Sequence, residues 1–561
     1  MAGIEQELRD RLAIAFAAVA NIPEDPAVQR SQRADYQSNA ALALARRLNA
    51  DPRELAARVV AAAGLDDLCS AVEISGPGFI NLTISDAVLG ERLAGLLPGD
   101  RLGVSTVDDP ETVVVDYSAP TAAKEMHVGH LRSTVIGDAA VRLLEWLGHR
   151  VVRQNHIGDW GTPFGMILEH LLDTGAPPAA DGLTAFYAAA RAEFDVSEEF
   201  RQRARHRVVL LQSGDEPTLR LWHSLIEISQ RYFMSVYDRL GVRLEESDFV
   251  GESAYNAELD GIVADLGRLG LLRSSDGADC VFPPGFTNRD GQPLPLIVRK
   301  GDGGYGYAAT DLAALRYRVE HLKATRLLYV VGLPQRLHFA MVFATAADAG
   351  WLTPPVRATH VGFGSVLGPD GKVLRSRDGG AVKLTDLLDE AVARAAAVIR
   401  DDTIRAEVAQ AVGMGAVKYA DLSNDRSKDY VFDFDRMLSH NGNTSVYLQY
   451  AHVRIRSILQ KAGAEGAGGA VTVAAPAEHA LALELLTFPV VVEQVAETLE
   501  FHRLTGYLYG LATTFTTFYE SCTVLKAPEP ARSSRLALCD LTARILRTGL
   551  GMLGIATPDR M

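Results

Sequence analysis

The stretch from Thr112 to Leu144 constrains the fold more than any other part of the chain. It begins with Val113-Val114-Val115-Asp116, a β-branched run suited to a strand buried on both faces. A Ser/Pro turn follows at Ser118-Ala119-Pro120. The chain then reads apolar at Leu131, Val135, Ile136, Ala139, Leu143 and Leu144, the 3.6-residue period of a helix. A buried strand feeding a helix through a tight turn is the building unit of a parallel, helix-covered sheet. His127, Gly129 and His130 stand where that helix opens, and residues three apart share one helical face. Free N–H groups, the positive end of the helix dipole and two imidazoles together make a site for a polyphosphate. Gly129 lets a ligand approach the backbone without meeting a Cβ.

Around this unit the chain divides into three parts. Residues 1–108 read as helices followed by short strands, including a Gly/Pro turn at Ser75-Gly76-Pro77-Gly78 that runs into Phe79-Ile80-Asn81-Leu82-Thr83. Residues 109–432 alternate strands with helices, implying a doubly wound parallel sheet with strands at 112–116, 150–156 and 326–331. A mostly helical insertion at about 165–290 interrupts it, and the Gly-rich Gly362-Phe363-Gly364 precedes a loop from Leu367 to Lys383. Residues 433–561 read as all-helical, broken by a Gly/Ala-rich piece from Ala462 to Ala477. The expected architecture is a multidomain α/β protein: an α+β N-terminal domain, a Rossmann-type sheet with its insertion, and an α-helical bundle.

At 561 residues the chain is long enough for several separate cores. The formal charge of −14 argues against indiscriminate binding of nucleic acid. From Asp433 onward, however, 11 Lys/Arg stand against 12 Asp/Glu, so the last part is nearly neutral. Ile4, Leu8, Leu12, Phe16 and Val19 repeat at helical spacing behind acidic Glu5, Glu7 and Asp10, which reads as an amphipathic helix and not an export signal. No apolar stretch reads as a membrane span, and Cys69, Cys280, Cys522 and Cys539 show no metal-ligand spacing. The expectation is a cytoplasmic protein with buried thiols and no metal site of its own.

The run Ser118-Ala119-Pro120 through Lys124-Glu125-Met126-His127-Val128-Gly129-His130-Leu131-Arg132-Ser133, followed by Gln154-Asn155-His156-Ile157-Gly158-Asp159-Trp160-Gly161, resembles the class I aminoacyl-tRNA synthetases. Within them it is similar to the arginyl-tRNA synthetase family. The resemblance continues at Tyr447-Leu448-Gln449-Tyr450-Ala451-His452-Val453-Arg454 and at Leu553-Gly554-Ile555-Ala556-Thr557-Pro558-Asp559-Arg560-Met561, and so covers nearly the whole chain. It implies a two-step reaction. The carboxylate of L-arginine attacks the α-phosphorus of ATP, and the acyl group then passes to the 3′ terminal ribose of tRNA(Arg). Negative charge develops on phosphate oxygens, so catalysis is expected to rest on positioning and fixed positive charge without a protein nucleophile. Mg2+ is expected to ride on ATP. The resemblance also implies a monomer that activates arginine only with tRNA bound.

The same resemblance assigns residues. His127, Gly129 and His130 are implied at the nucleotide, with Gly362 and Gly364 as further nucleotide contacts. The lysine-rich second phosphate loop of class I enzymes is degenerate here, Lys372-Val373-Leu374-Arg375-Ser376-Arg377-Asp378, and lacks its final lysine. Lys124 stands where many family members carry a compensating lysine, and Arg375 and Arg377 are a second source of charge. A guanidinium substrate demands a carboxylate partner. Asp116, Ser118, Tyr307, Asp311 and Gln335 match the family's arginine-binding positions, and Thr121 stands where the family commonly has Asn. Pro163 replaces a frequent Gln, and Ser445-Val446 a usual small residue and proline. On the RNA side, Phe79 and Asn81 are implied at an exposed D-loop base, and Tyr447, Gln449 and Arg454 at the anticodon, with Tyr450 read as core.

Two other readings compete. Another class I synthetase is disfavoured because the cysteinyl enzyme needs a zinc-thiolate set and glutamyl specificity needs a cationic pocket. A non-catalytic tRNA-binding paralogue is disfavoured by intact Lys124, His127 and His130.

Overall fold

The structure is a computed structural model that describes residues 3–375, 381–399, 401–463 and 470–561. Its N-terminal part opens with the helix Ile4–Ala20, whose Ile4, Leu8, Leu12 and Phe16 are buried at the expected spacing. Four antiparallel strands follow: β1 (Val28–Arg30), β2 (Tyr36–Ser38), β3 (Cys69–Ser75) and β4 (Phe79–Ile84), in the order β1-β2-β4-β3. The β3–β4 turn is tight because Gly78, at φ 113°, lies where a Cβ would come within 2.7 Å of the Pro52 carbonyl oxygen.

The central sheet is built from β5 (Thr112–Asp116), β6 (Arg150–Ile157), β7 (Phe249–Gly251), β11 (Arg326–Tyr329) and β12 (Arg357–His360). All neighbours are parallel, in the order β12-β11-β5-β6-β7. The chain therefore winds outward from β5 to one side, then crosses back to β11 and winds to the other. The crevice at the carboxyl ends of β5 and β11 is the point of reversal, where such sheets bind ligands. The run expected to reach 331 ends as a strand at Tyr329.

The expected insertion is more than an interruption. Helices Thr162–Thr174, Leu183–Val196, Glu198–Gln212 and Glu216–Leu240 form a lobe, but the chain then rejoins the main sheet at β7. Only after β7 does it leave again, through the antiparallel sheet β8 (Leu272–Ser275), β9 (Ala278–Val281) and β10 (Leu296–Arg299). A strand as short as β7, between two 3₁₀ turns, carries no alternation from which to recognise it.

Beyond β12, β13 (Val366–Leu367) pairs in parallel with the distant β14 (Tyr430–Val431). Helices Leu384–Val398 and Arg405–Leu422 lie between them. The C-terminal bundle contains Ser445–Ala462, Pro476–Thr498, Phe501–Ser521 and Ala531–Met552. Among the described residues Pro476–Thr498 is long and apolar enough to pass for a membrane span, against the reading above. It is instead a bundle helix tied by polar side chains to its surroundings. Its Glu478 accepts from Arg535, its Glu484 pairs with Arg30, and His479 lies between Asp35 and Asp86 of the N-terminal part.

Candidate active site

After β5 the backbone turns through Ser118 (φ 72°), Ala119 (φ 47°) and Ala123 (φ 61°), left-handed conformations that cost non-glycine residues energy. Distant side chains hold each one. Ser118 N–H donates to Ser133 Oγ (2.9 Å), which in turn donates to the Val330 carbonyl (2.7 Å). Ala119 N–H donates to Asn155 Oδ1 and Ala123 N–H to Ser229 Oγ, each at 2.9 Å. The Ser118 hydroxyl lies 2.7 Å from the Tyr237 hydroxyl, which accepts from Asn155 Nδ2 at 2.9 Å. Ser118, read as an arginine contact, thus has its hydroxyl engaged inside the fold and works as a strut of the turn.

The turn delivers the chain to the helix Val128–Leu147 with His127 as its cap. Gly129 N–H donates to His127 Nδ1 (3.0 Å), and His127 N–H donates to His130 Nδ1 (3.1 Å). A ring nitrogen that accepts carries no proton, so both imidazoles are neutral with the hydrogen on Nε2. Burial, with Lys124 adding to it, lowers the pKa of His127; burial, then His127 and Lys124, push that of His130 down to about 3. The ring centroids are 4.0 Å apart, so two N–H donors stand side by side at the helix mouth. A Cβ on Gly129 would fall 2.7 Å from His127 Cε1. The space that a Cβ at this position would take is occupied by the His127 ring. Lys124 Nζ sits 3.8 Å from the centroid of Tyr187, a residue of the lobe helix Leu183–Val196.

Next to the turn stands a group of acidic side chains. Asp116 Oδ2 is 2.8 Å from Arg318 Nη2, and both side chains are buried. Arg318 also donates through Nε to Gln154 Oε1 (2.6 Å) and faces the Tyr329 ring. The carboxylate expected to meet a substrate guanidinium is therefore already matched by a guanidinium of the chain. Asp311 Oδ2 lies 2.5 Å from His338 Nε2. Tyr307, one turn earlier on the helix Tyr307–Glu320, is 78% exposed, and Gln335 is exposed in the 3₁₀ turn Leu333–Gln335. Thr121 is exposed and bridges to Gly158.

Sequence reasoning missed Glu252. Burial, with Asp159 and Asp311 nearby, raises its pKa to about 7. A carboxyl held near neutrality beside other carboxylates favours the arrival of a cation. The His156 and Tyr255 rings lie 5.7 Å apart, and His156 Nδ1 and the Tyr255 hydroxyl are buried with no hydrogen-bond partner among the described residues. His156 lies in the run Gln154–Gly161 that carries the family resemblance; Glu252 lies in a segment with no motif.

The second phosphate loop leaves β13 and returns to the first. Leu367 bridges Val373, Arg375 bridges Ala381, and Lys383 bridges His127. Val128 N–H donates to the Val382 carbonyl and Leu384 N–H to the Met126 carbonyl, both at 3.0 Å. Lys372 and Arg375 are exposed on this loop, while Arg377 lies outside the described residues. Gly362 and Gly364, read as nucleotide contacts, are required by the chain's own packing. A Cβ on Gly362 would fall 2.8 Å from Leu333 Cδ2, and one on Gly364 2.6 Å from Asp429 Oδ1.

On the RNA side, Asn81 is buried with its amide satisfied: it accepts from Gln37 Nε2 (2.6 Å) and donates to Ser75 Oγ (2.8 Å). Phe79 is half-buried at the start of β4. Along Ser445–Ala462 the expected parts of Gln449 and Tyr450 are exchanged. Gln449 is fully buried and donates to the carbonyls of Ala411 and Ala556, so it is a strut and touches no solvent. Tyr450 is 52% exposed. Helical geometry explains this: Ser445, Leu448, Gln449, His452 and Ile455 share the inner stripe, which turns Tyr450 and Arg454 outward. Arg454 lies 4.7 Å over the Tyr519 ring, and Tyr447 packs against Tyr509.

Three family models match the chain: "Arginyl tRNA synthetase N terminal domain" over residues 3–84, "tRNA synthetases class I (R), catalytic domain" over 93–434 and "DALR anticodon binding domain" over 448–561. An arginine–tRNA ligase of Thermobifida fusca is 55% identical, covering 96% of this chain and 95% of its own. One of Synechococcus elongatus is 48% identical over the full length of both. Among solved structures, the arginyl-tRNA synthetase of Plasmodium falciparum superposes with a TM-score of 0.86 at 29% identity, covering both chains entirely. That of Thermus thermophilus gives 0.83 at 26% identity, covering 99% of this chain and all of its own.

Proposed function

The chain belongs to the arginyl-tRNA synthetases and ligates arginine to tRNA with ATP, and from that premise we propose how its residues divide the work. The observation that carries the proposal is the pair of neutral imidazoles at the mouth of Val128–Leu147, each with Nδ1 committed to the backbone and Nε2–H without a partner among the described residues. These donors and the helix N-terminus receive the triphosphate. They stabilise the charge that grows on its oxygens as the arginine carboxylate attacks the α-phosphorus. Lys124 supplies the cation that the degenerate loop lacks, and Arg375 a second one. No side chain forms a covalent intermediate. Mg2+ travels with ATP and supplies charge neutralisation of its phosphates; among the described residues no three His, Cys, Asp or Glu side chains converge on a metal position.

The acidic side chains beside the turn receive the guanidinium. Asp311 and Glu252 are its charged partners, with Tyr307 and Gln335 closing the open side. Asp116, through Arg318, fixes the floor. The N-terminal part reads the D-loop with Phe79, and the C-terminal bundle reads the anticodon with Tyr447, Tyr450 and Arg454. The enzyme acts as a monomer in the cytoplasm.

ATP–pyrophosphate exchange with arginine, run with and without tRNA(Arg), tests the reading. Exchange is expected only with tRNA present, and lysine is expected to support none. Asp311→Asn should raise the arginine KM about 10- to 100-fold, the cost of leaving a buried donor unpaired. Exchange driven by another amino acid, or an unchanged KM in Asp311→Asn, would overturn it.

A further inference from the structure

Among the described residues, an ion pair joins the two phosphate motifs. Lys383 closes the return arm of the second loop, and its Nζ donates to Glu125 Oε1 at 2.9 Å. Glu125 sits between Lys124 and His127, and its side chain is 4% exposed against 43% for that of Lys383. The Glu125 N–H donates to Thr184 Oγ1 of the lobe (3.1 Å), while its Oε2 is buried with no hydrogen-bond partner among the described residues. Among the described residues the carboxylate thus has a single ion-pair partner, the Lys383 ammonium. The backbone hydrogen bonds Val128 to Val382 and Leu384 to Met126 flank the pair on either side. Glu125 raises the pKa of Lys383, so the ammonium stays charged at neutral pH.

We propose that Lys383 is a positioning residue for adenylate formation, anchored by Glu125, that fixes the return arm of the second loop against the first turn of the His127 helix. The cations of that loop then meet the triphosphate in register with the two imidazoles. Three observations carry this. The backbone bridge places Lys383 beside His127. The ion pair links the loop to a buried group on the opposite motif. And among the described residues that buried group has no other ion-pair partner, so the link is under strong electrostatic demand. Peptide hydrogen bonds alone would leave the arm free to pivot about its strand axis; the side-chain pair adds a second, off-axis point of attachment. The inference rests on the reading of His127 and His130 given above.

The test is tRNA-supported ATP–pyrophosphate exchange with arginine on full-length Lys383→Met, Lys383→Arg and the charge-neutral double variant Glu125→Gln/Lys383→Met, each with its melting temperature. Removing Lys383 leaves Glu125 uncompensated and lowers stability, which the double variant restores. The expected result is a kcat about 10-fold or more below the parent for Lys383→Met, with the arginine KM within about twofold, the mark of an interaction made in the transition state. Lys383→Arg should recover most of the rate. The double variant should melt like the parent and remain slow. A parent-like kcat in Lys383→Met, or a double variant that regains rate and stability together, would overturn the proposal. Absence of arginine-dependent exchange in the parent itself would instead count against the functional reading on which it rests.

Discussion

In the proposed division of work, Lys124 is the ammonium that stands in for the lysine missing from the second loop. Its Nζ rests on the face of Tyr187, so the lobe helix Leu183–Val196 sets where that charge can reach. Lys124→Ala should lower kcat for exchange about 100-fold with little change in the arginine KM, as expected for a cation that acts on the transition state. If Arg375 carries the role instead, Lys124→Ala will keep parent kcat at saturating ATP and Arg375→Ala will lose it. The residue scale is also where motif reading reached furthest and then stopped. Lys124, His127, Gly129 and His130 announce themselves because their chemistry is local: a cap, a face, a turn. Arg318 does not, since nothing in its own helix distinguishes it from any other arginine. Only the register of β5 against β11 brings Tyr329 beside Asp116 and so makes a site for its guanidinium.

At the scale of elements, the helix Val128–Leu147 shows how a glycine can be required by a neighbouring side chain. Gly129→Ala adds a Cβ that collides with the His127 ring, while alanine is the better helix former. The variant should therefore keep the parent's melting temperature within a few degrees and lose at least about 10-fold in kcat, because the ring must leave its place beside His130. Circular dichroism melting beside exchange kinetics would check both halves. Elements with strong periodicity or β-branched runs, such as β5, Ile4–Ala20 and Val128–Leu147, were legible from their own residues. The short β7 and the crossing pair β13–β14 were not, because strands this short hold no pattern and are defined by partners far along the chain. The exchange of Gln449 and Tyr450 has the same origin: adjacent residues on a helix face opposite ways, and only the packed bundle says which way is in.

Across the whole molecule, His479 ties the C-terminal bundle to the N-terminal part. Its Nδ1 lies 2.6 Å from Asp86 Oδ1 and its Nε2 3.0 Å from both oxygens of Asp35, which itself accepts from Ile84 N–H. Asp35 first, then Asp86, raise the pKa of His479 from 6.5 to about 9. Between those two values the folded protein holds a proton that the unfolded chain has released, so this contribution is complete below pH 6.5 and is lost as pH rises through about 9. The melting temperature should accordingly fall over that window, and His479→Gln should flatten the fall. Parallel pH–melting curves for the two proteins would decide it; a slope unchanged in His479→Gln would remove the tie. No motif foretold this contact, which joins residues separated by 444 and 393 positions.

The turn at Ser118–Ala123 has a consequence in time. Its left-handed residues are held by hydrogen bonds to partners 36, 106 and 119 positions away, and the Ser133 that pins it reaches a further 197 positions to Val330. Local helices form within microseconds, but contacts of such sequence separation must wait for the chain to close long loops. During refolding the helical signal should return first, and exchange activity should lag behind it until β11 and the helix Glu216–Leu240 have docked. The active site is then the last part of the catalytic half to assemble, and its chemistry reports the arrival of the whole sheet.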